Sequence, residues 1–357
     1  MGSMIIPERK ENKMKKKRNK SRNIILSVLG IVILAIVGTG YYFLKSPMLK
    51  GGETRYVYID KDDNTDSLYA KLDTISKPHA LNGFKFMADK KDLASSLKLG
   101  RYALDSKTGA WDFLNTLIRG EQTPLNVPIP SARTMDKLAV AVSKKLALDS
   151  LELLSALRDS TVCARYGYTP RTIASMFIPD SYNLYWTVSV DEFLDRIKKE
   201  CDKYWNEDRM AKAKAIGLTP VEVSTLASIV TEETRATKEK ATVAGLYINR
   251  LKKGMLLQSD PTVKFAMQDF AVKRILNRML AIDNPYNTYK YKGLPPGPIR
   301  IPLREDLEAV LNYEHHDYIY MCAKEDFSGT HNYARTEAEH RANAARYHKA
   351  LNERGIK

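Results

Sequence analysis

The pattern of apolar and polar positions separates one long uncharged stretch near the start of the chain from an outer part built of short periodic segments. Residues 24–44 read IILSVLGIVILAIVGTGYYFL and carry no charge, and about 20 such residues are enough to cross a hydrocarbon core. Tyr41, Tyr42 and Phe43 lie where an interfacial aromatic belt would be. We predict an uncleaved transmembrane helix over 24–44. A cleaved signal peptide is the alternative, against which the length of the apolar stretch and the lack of a clear cleavage site argue.

Residues 52–130 alternate between short strand-like and helix-like patterns. The predicted strands cover 56–59, 100–104 and 125–129, and the predicted helices cover 66–72, 81–97 and 110–118. A strand–helix–strand rhythm of this kind predicts a small α/β or α+β module. No acid–base cluster stands out within it, so we expect the module to position the protein or to bind a polymer.

Residues 131–215 are predicted to be mainly helical and to connect this module to the rest of the chain. An amphipathic helix is expected over 135–146, and one long charged helix over 190–216. Between them, 177–186 is an aromatic loop interrupted by proline. Such a loop can offer a sugar-stacking surface, but aromatic loops are more often packed inside the protein, and both interpretations stay open.

The last region, 216–357, begins with a strong helix-start pattern. Thr219, Pro220 and Glu222 supply an N-cap hydroxyl, a first-turn proline and a capping-box carboxylate. A second helix is expected over 238–251, with Gly254 as a C-cap. Ser259 or Asp260 could cap a helix opened by Pro261. The loop 293–299 is rich in proline and glycine and therefore stiff enough for a groove wall. A hairpin is predicted from 318–323 and 331–334, and a final helix from Thr336.

Glu233 is the outstanding chemical candidate in this region. At about 100° per residue it falls in the middle of an apolar face formed by Val223, Leu226, Ile229 and Val230. A carboxylate there is costly to ionise, so we expect its pKa to rise and the group to hold a proton near neutral pH, as a general acid must. The alternative is a helix-end glutamate that reaches water or pairs with Arg235 or Lys238.

The net charge of +15 is concentrated at the start of the chain. Residues 1–50 contain eleven Lys/Arg and two Asp/Glu, a balance of +9, which leaves +6 for all the rest. The basic arm 1–23 predicts a cytoplasmic N-terminus by the positive-inside rule, with everything after the helix outside. The mild outer surplus and the lack of any zinc-finger or helix-turn-helix pattern exclude a nucleic-acid-binding protein.

Cysteine and histidine positions indicate neither a disulfide framework nor a metal site. Cys163, Cys201 and Cys322 are few and scattered, so at least one should be a free, buried thiol. A zinc site is the alternative use of the histidines, but their spacings fit no common site: His315, His316, His331 and His340. We expect no metal and no cofactor.

Several motifs in the last region carry a resemblance to a known family. They are LASIV (226–230), ET (233–234), VAG (243–245), INRL (248–251), GM (254–255), LQSDPTV (257–263), PYNTY (285–289) and GLPPGPI (293–299). In order and spacing they are similar to the MltG-type (YceG-like) endolytic murein transglycosylases. Gly329-x-His331, His340, the segment Lys98-x-Gly100-x-Tyr102 and the single anchor also fit.

The resemblance implies an α+β fold: one N-terminal transmembrane helix, a small LysM-like α/β module over 52–130, the helical connection 131–215, and a mixed α+β catalytic domain over 216–357. It implies an enzyme of the plasma membrane, with its catalytic domain on the outer side. That enzyme would cleave the MurNAc-β-1,4-GlcNAc bond of peptidoglycan glycan strands, leave 1,6-anhydroMurNAc ends and limit the length of nascent strands. Peptidoglycan synthases are the implied partners. A non-catalytic peptidoglycan-binding scaffold is the competing function.

The resemblance maps the catalytic acid of the family onto Glu233. The candidates for holding the sugar are Gln258, Asp260, Asn287, Tyr289, Pro296 and His331, whereas Asn249 and Arg250 are expected to be structural. Two positions depart from the family pattern. Thr231 stands where many members have a second glutamate, and Arg300 follows the proline-rich loop where many have asparagine, which leaves the shape of that wall open.

Overall fold

The computed structural model describes residues 8–272 and 274–355, with side chains described from residue 14 onward. It divides into two compact units, Met1–Pro124 and Leu125–Lys357. Residues 1–7 of the predicted basic arm lie outside the described residues. Each unit has its own hydrophobic core, and the second has two core clusters.

The first unit begins with one long helix, α1 (Glu8–Leu44). Its part Met14–Leu44 is long and apolar enough to cross a membrane. The apolar side chains of this part are exposed, as expected for a surface that faces lipid, with Leu34 and Ile36 both more than half accessible. The structure therefore contains the apolar helix predicted for 24–44, continued backwards through the basic residues.

The remaining elements of the first unit form an antiparallel strand pair covered by helices. They are β1 (Arg55–Ile59), α2 (Thr65–Ile75), α3 (Pro78–Lys90), α4 (Leu93–Ser96), β2 (Gly100–Leu104) and α5 (Ala110–Arg119). In the pair, Val57 lies opposite Tyr102. The single helix predicted over 81–97 is wrong: Asp92 adopts a left-handed conformation with φ of 48°, and this separates α3 from α4.

The end of α1 packs closely on α3 and α5. A side chain at Gly83 would place its Cβ 2.3 Å from the carbonyl oxygen of Phe43. The ring of His79 stacks on Tyr42 with centroids 4.0 Å apart. Gly83 is therefore required because the backbone of the long helix comes within contact distance of α3.

The second unit begins with a strand pair that joins distant parts of the chain. Strand β3 (Leu125–Pro128) pairs antiparallel with β4 (Ser181–Leu184). The strand predicted over 125–129 is present as β3. The loop predicted over 177–186 is wrong in part, because it contains β4, and pairing across more than fifty residues leaves no local signal. Phe177 and Tyr182 of the former loop are buried in the core, which favours the packing interpretation of these aromatics.

The other elements of the second unit are mostly helical. They are α6 (Met135–Ser143), α7 (Ser150–Arg158), α8 (Ser160–Arg165), α9 (Val190–Tyr204), α10 (Glu207–Ile216), α11 (Pro220–Glu233), α12 (Lys240–Lys252), α13 (Asp260–Met267), α14 (Arg304–Leu311), β5 (Tyr320–Ala323), β6 (His331–Ala334) and α15 (Glu337–Glu353). The long helix predicted over 190–216 is two helices, because Asn206 accepts a hydrogen bond from Arg209 N and caps a new start.

Helix α11 lies in the core of the second unit. Its Thr219 and Glu222 form the predicted capping box, and Thr219 is the N-cap. The predicted apolar face is confirmed, since its four residues are fully buried: Val223, Leu226, Ile229 and Val230. The hairpin of β5 and β6 and the capping box at the start of α15 are confirmed as well. Cys163, Cys201 and Cys322 are free thiols, the first two of them buried.

Candidate active site

Glu233 lines a cavity of about 290 Å³ in the second unit. Five of the predicted site residues meet there: Glu233, Gln258, Asp260, Tyr289 and His331. The other lining residues are Leu246, Tyr247, Arg250, Leu257, Met321, Cys322 and Ala323. The cavity is bordered by α11, α12, the start of α13, the loop before α14 and both strands of the hairpin.

One carboxylate oxygen of Glu233 is held by two hydroxyl groups. The hydroxyl of Tyr247, on α12, donates to Oε1 at 2.6 Å. The hydroxyl of Ser259, just before α13, donates to the same atom at 2.5 Å. With Oε1 taken by two donors, Oε2 is the oxygen left to carry a proton towards a ligand.

The surroundings of Glu233 favour its protonated form. Burial is the largest influence and raises its pKa above the ordinary range, and the nearby charge of Asp260 acts in the same direction. The hydrogen bonds from Ser259 and Tyr247 and the proximity of His331 lower it, but they do not outweigh burial. Arg235 and Lys238 are exposed, and the contacts of Glu233 are with uncharged hydroxyls, so the pairing alternative is not realised.

Ser259 and Asp260 do not cap α13 with their side chains as the sequence predicts. Ser259 occupies the N-cap position, but its hydroxyl is directed to Glu233. The carboxylate of Asp260 accepts a hydrogen bond of 2.6 Å from the hydroxyl of Tyr289. Burial, followed by this bond, raises the pKa of Tyr289 well above the usual range. Asp260 and Tyr289 therefore line the cavity together, and Ser259 acts on it through Glu233.

Gln258 is held at the cavity by an unusual backbone conformation. Its φ of 52° lies in the left-handed region, which is uncommon for a residue other than glycine. Its backbone N–H donates to the Thr288 carbonyl at 3.1 Å. The guanidinium of Arg250 donates to Gln258 Oε1, to the carbonyl of Leu257 and to that of Ile319. Arg250 therefore has the structural role expected of it while also bordering the cavity.

His331, the first residue of β6, enters the cavity from the hairpin. Its Nδ1 lies 3.2 Å from Oε2 of Glu239, and its backbone N–H donates to Oε1 of the same carboxylate at 2.8 Å. Glu239 itself is 7% exposed and ends a short 3-10 helix, Thr237–Glu239, that follows α11. One buried carboxylate thus fixes both the strand and the ring.

Two of the predicted sugar-binding residues do not line this cavity. Asn287 is fully buried, and its amide donates to the carbonyls of Leu280 and Ile282 while its oxygen accepts from Tyr289 N. Pro296 belongs to a loop that packs into the protein, where a Cβ on Gly297 would meet the Arg171 carbonyl oxygen at 2.1 Å. Asn287 therefore positions Tyr289, and this loop does not form a wall of the Glu233 cavity.

Sequence reasoning missed three residues that act on the site: Tyr247, Ser259 and Glu239. Tyr247 lies inside α12, a helix in which the sequence pattern marks only the small residues, and the position of Ser259 before Pro261 predicts a cap. Glu239 gives no signal in the sequence, because a glutamate between Lys238 and Lys240 in a turn belongs to no periodic pattern. Within the described ranges, the structure contains no group of three or more His, Cys, Asp or Glu side chains arranged to hold a metal ion.

Comparison with known protein families gives the family of this chain. The model of the YceG-like family matches residues 57–346. The chain belongs to the YceG-like family.

Relatives of this chain share a common name. The endolytic murein transglycosylase of Streptococcus pneumoniae serotype 2 (strain D39 / NCTC 7466) is 27% identical over 359 residues, covering 89% of this chain and 64% of the relative. The endolytic murein transglycosylase of Bacillus subtilis (strain 168) is 34% identical over 166 residues, 46% of this chain and 45% of the relative. The chain thus spans a little under two thirds of the streptococcal relative and less than half of the other.

A solved structure is similar to this fold. The crystal structure of a yceG-like protein from Listeria monocytogenes aligns with a TM-score of 0.53 and 25% identity, covering 82% of this chain and 99% of that one.

Proposed function

We propose that this protein is an endolytic peptidoglycan lytic transglycosylase and that Glu233 is its catalytic acid. The observation that carries the proposal is a carboxyl group whose pKa is raised by burial, held through one oxygen by two hydroxyls and facing a polar cavity. The shared name of the relatives supplies the substrate class, murein. The proposed bond is the β-1,4 linkage between MurNAc and GlcNAc.

The first step is protonation of the leaving group. Glu233 gives the proton on Oε2 to the glycosidic oxygen, and the bond from that oxygen to C1 of MurNAc breaks with its electron pair on the oxygen. Oε1 keeps its bonds to Tyr247 and Ser259, and these bonds strengthen as charge develops on the carboxylate. The hydroxyls therefore stabilise the ionised product of the acid after burial has kept the acid protonated.

The second step closes the anhydro ring. The C6 hydroxyl of the same MurNAc attacks C1, and the Glu233 carboxylate takes the hydroxyl proton. Hydrolytic glycosidases ordinarily need a pair of carboxylates, one on each side of the bond. Here the nucleophile belongs to the substrate, so one carboxyl group is enough, and it is protonated again at the end of the reaction. Gln258, Asp260 with Tyr289, and His331 surround the same cavity and are proposed to hold the sugar.

The first unit is proposed to place this chemistry at the membrane. The exposed apolar surface of α1 fits a single-pass anchor, and the basic residues before it favour a cytoplasmic N-terminus with the remaining chain on the outer side. The small module, taken as LysM-like, is proposed to bind glycan strands, and peptidoglycan synthases are the proposed partners.

The test is digestion of purified peptidoglycan by the full chain in detergent, with products read by mass spectrometry. Anhydro-ended fragments from the parent and none from Glu233→Gln would support both the reaction and the residue. Reducing ends would show a hydrolase and contradict the proposed chemistry. Binding without any products would favour the non-catalytic scaffold instead.

A further inference from the structure

Both oxygens of Glu239 contact His331. Oε1 accepts the backbone N–H of His331 at 2.8 Å, and Oε2 lies 3.2 Å from the Nδ1 atom of the same residue. The hydroxyl of Thr234 approaches Oε2 at 3.4 Å from the side of α11. The carboxylate is therefore built into the junction between the end of α11 and strand β6.

This contact determines which ring nitrogen of His331 is available to a ligand. A carboxylate can only accept hydrogen bonds, so Nδ1 must carry the hydrogen. The proposal concerns the neutral imidazole, whose other nitrogen, Nε2, then has no hydrogen and presents a lone pair. In the protonated ring, the form that lowers the pKa of Glu233, both nitrogens would donate. His331 is among the residues that line the cavity that Glu233 faces, which brings its ring to the proposed sugar site.

We propose that Nε2 of His331 accepts a hydrogen bond from a hydroxyl group of the sugar bound beside Glu233, and that Glu239 is the positioning residue that keeps His331 in the accepting tautomer. The inference rests on the proposed function for the nature of the ligand. It adds no proton transfer, because Glu233 remains the group that gives and takes the proton.

The substitution Glu239→Gln tests the idea because it reverses the polarity of the contact. A glutamine oxygen can still accept the backbone N–H of His331, but its NH₂ group then faces Nδ1 and can only donate. Nδ1 must become the acceptor, and Nε2 acquires the hydrogen. We expect the ring to stay in place with a donor at Nε2, so that the hydroxyl hydrogen that Nε2 accepts in the parent is left facing an N–H group.

Glu325→Gln is the matched control. Glu325 accepts a hydrogen bond of 2.6 Å from the amide of Asn332, the residue after His331 on the same strand. It does not border the Glu233 cavity. The same chemical change is therefore made to a carboxylate that supports the same strand without touching the ring.

The decisive measurement is the affinity of the full chain for a soluble fragment of alternating GlcNAc and MurNAc, determined by calorimetry in detergent. All variants carry Glu233→Gln, so that turnover does not interfere and the result does not depend on catalysis. We expect Glu239→Gln to weaken binding about tenfold or more, the size of one hydrogen bond replaced by an unfavourable contact. Glu325→Gln should leave the affinity within about twofold.

A double-mutant cycle with His331→Ala separates positioning from general support of the strand. If Glu239 acts through His331, adding Glu239→Gln to His331→Ala has little further effect on affinity. Equal losses with and without His331, or an unchanged affinity in Glu239→Gln, would overturn the inference. Failure of the proposed function is distinct, since it appears as absence of anhydro products from the parent chain.

Discussion

Glu232 and Glu233 are neighbours at the end of α11, yet they lie in opposite electrostatic environments. Glu232 is bound by two guanidinium groups: Arg133 donates to both of its oxygens at 2.7 and 2.8 Å, and Arg300 donates to Oε1 at 2.6 Å. Glu233 is bound by two uncharged hydroxyls. Burial raises the pKa of both carboxyls, but the arginine bonds and charges outweigh it at Glu232, whose pKa is lowered, while burial prevails at Glu233.

The difference shows how the charge of the donors acts on the pKa of a carboxyl group: two guanidinium groups outweigh the effect of burial at Glu232, whereas two uncharged hydroxyls do not outweigh it at Glu233. A helix turns about 100° per residue, so successive side chains face different neighbours. Glu232 is suited to join α11 to the segments that carry Arg133 and Arg300, and Glu233 is suited to exchange a proton.

The largest expected difference between the two glutamates is in reaction rate. Glu233→Gln should reduce the formation of anhydro ends by about 10²–10⁴-fold, the usual contribution of a general acid. Glu232→Gln should stay within a few-fold of the parent per folded molecule. Initial rates on the same peptidoglycan check this, and comparable losses in both variants would contradict the assignment of Glu233 alone.

The next largest difference is in stability, where Glu232→Gln should have the greater effect of the two substitutions. Glu232→Gln leaves two arginines without their shared carboxylate, and we expect the free energy of unfolding to fall by about 1–3 kcal/mol. Glu233→Gln keeps an uncharged group that can accept from Tyr247 and Ser259, and should cost less. Urea unfolding of the full chain in detergent measures both, and a more severe loss in Glu233→Gln would reverse the comparison.

The hydroxyls around Glu233 should set the alkaline side of its activity. Tyr247→Phe removes a bond that favours the ionised carboxylate, so the pKa of Glu233 should rise and activity should persist to higher pH, although the maximal rate falls by about tenfold or less. The pH dependence of kcat/KM checks the shift. Tyr166→Phe removes a comparable bond to Asp195 in the other core cluster and should leave the profile in place.

The smallest expected effect is on the pH dependence of stability, to which the two glutamates contribute in opposite directions. A glutamate has a pKa of about 4.3 when unfolded. The raised pKa of Glu233 adds stability below that pH, and this is lost as pH rises through its folded value. The lowered pKa of Glu232 adds stability above about pH 4.3, which is lost as pH falls. The loss of stability as pH rises above about 4.3 should therefore be smaller in Glu233→Gln than in the parent, and the loss as pH falls below about 4.3 should be smaller in Glu232→Gln.

Local patterns predicted those parts of the second unit whose stabilising contacts are close in sequence. The capping boxes at Thr219 and Thr336, the hairpin and the apolar face of α11 follow from residues within a few positions of one another. Where the prediction was wrong, the deciding contact was distant or was a single unusual residue. Strand β4 exists because it pairs with β3, and Asp92 and Asn206 interrupt helices that periodicity alone would continue.

The sequence by itself determined that the chain has an apolar membrane-length helix and that Glu233 lies on a buried face, because both depend on composition and on the period of one helix. Only the tertiary structure decided that Tyr247 and Ser259 bind this carboxyl group, that Glu239 holds His331, and that Asn287 supports Tyr289 from within the protein. Hydrogen bonds between side chains on different elements depend on how those elements pack, and no spacing along the chain encodes them.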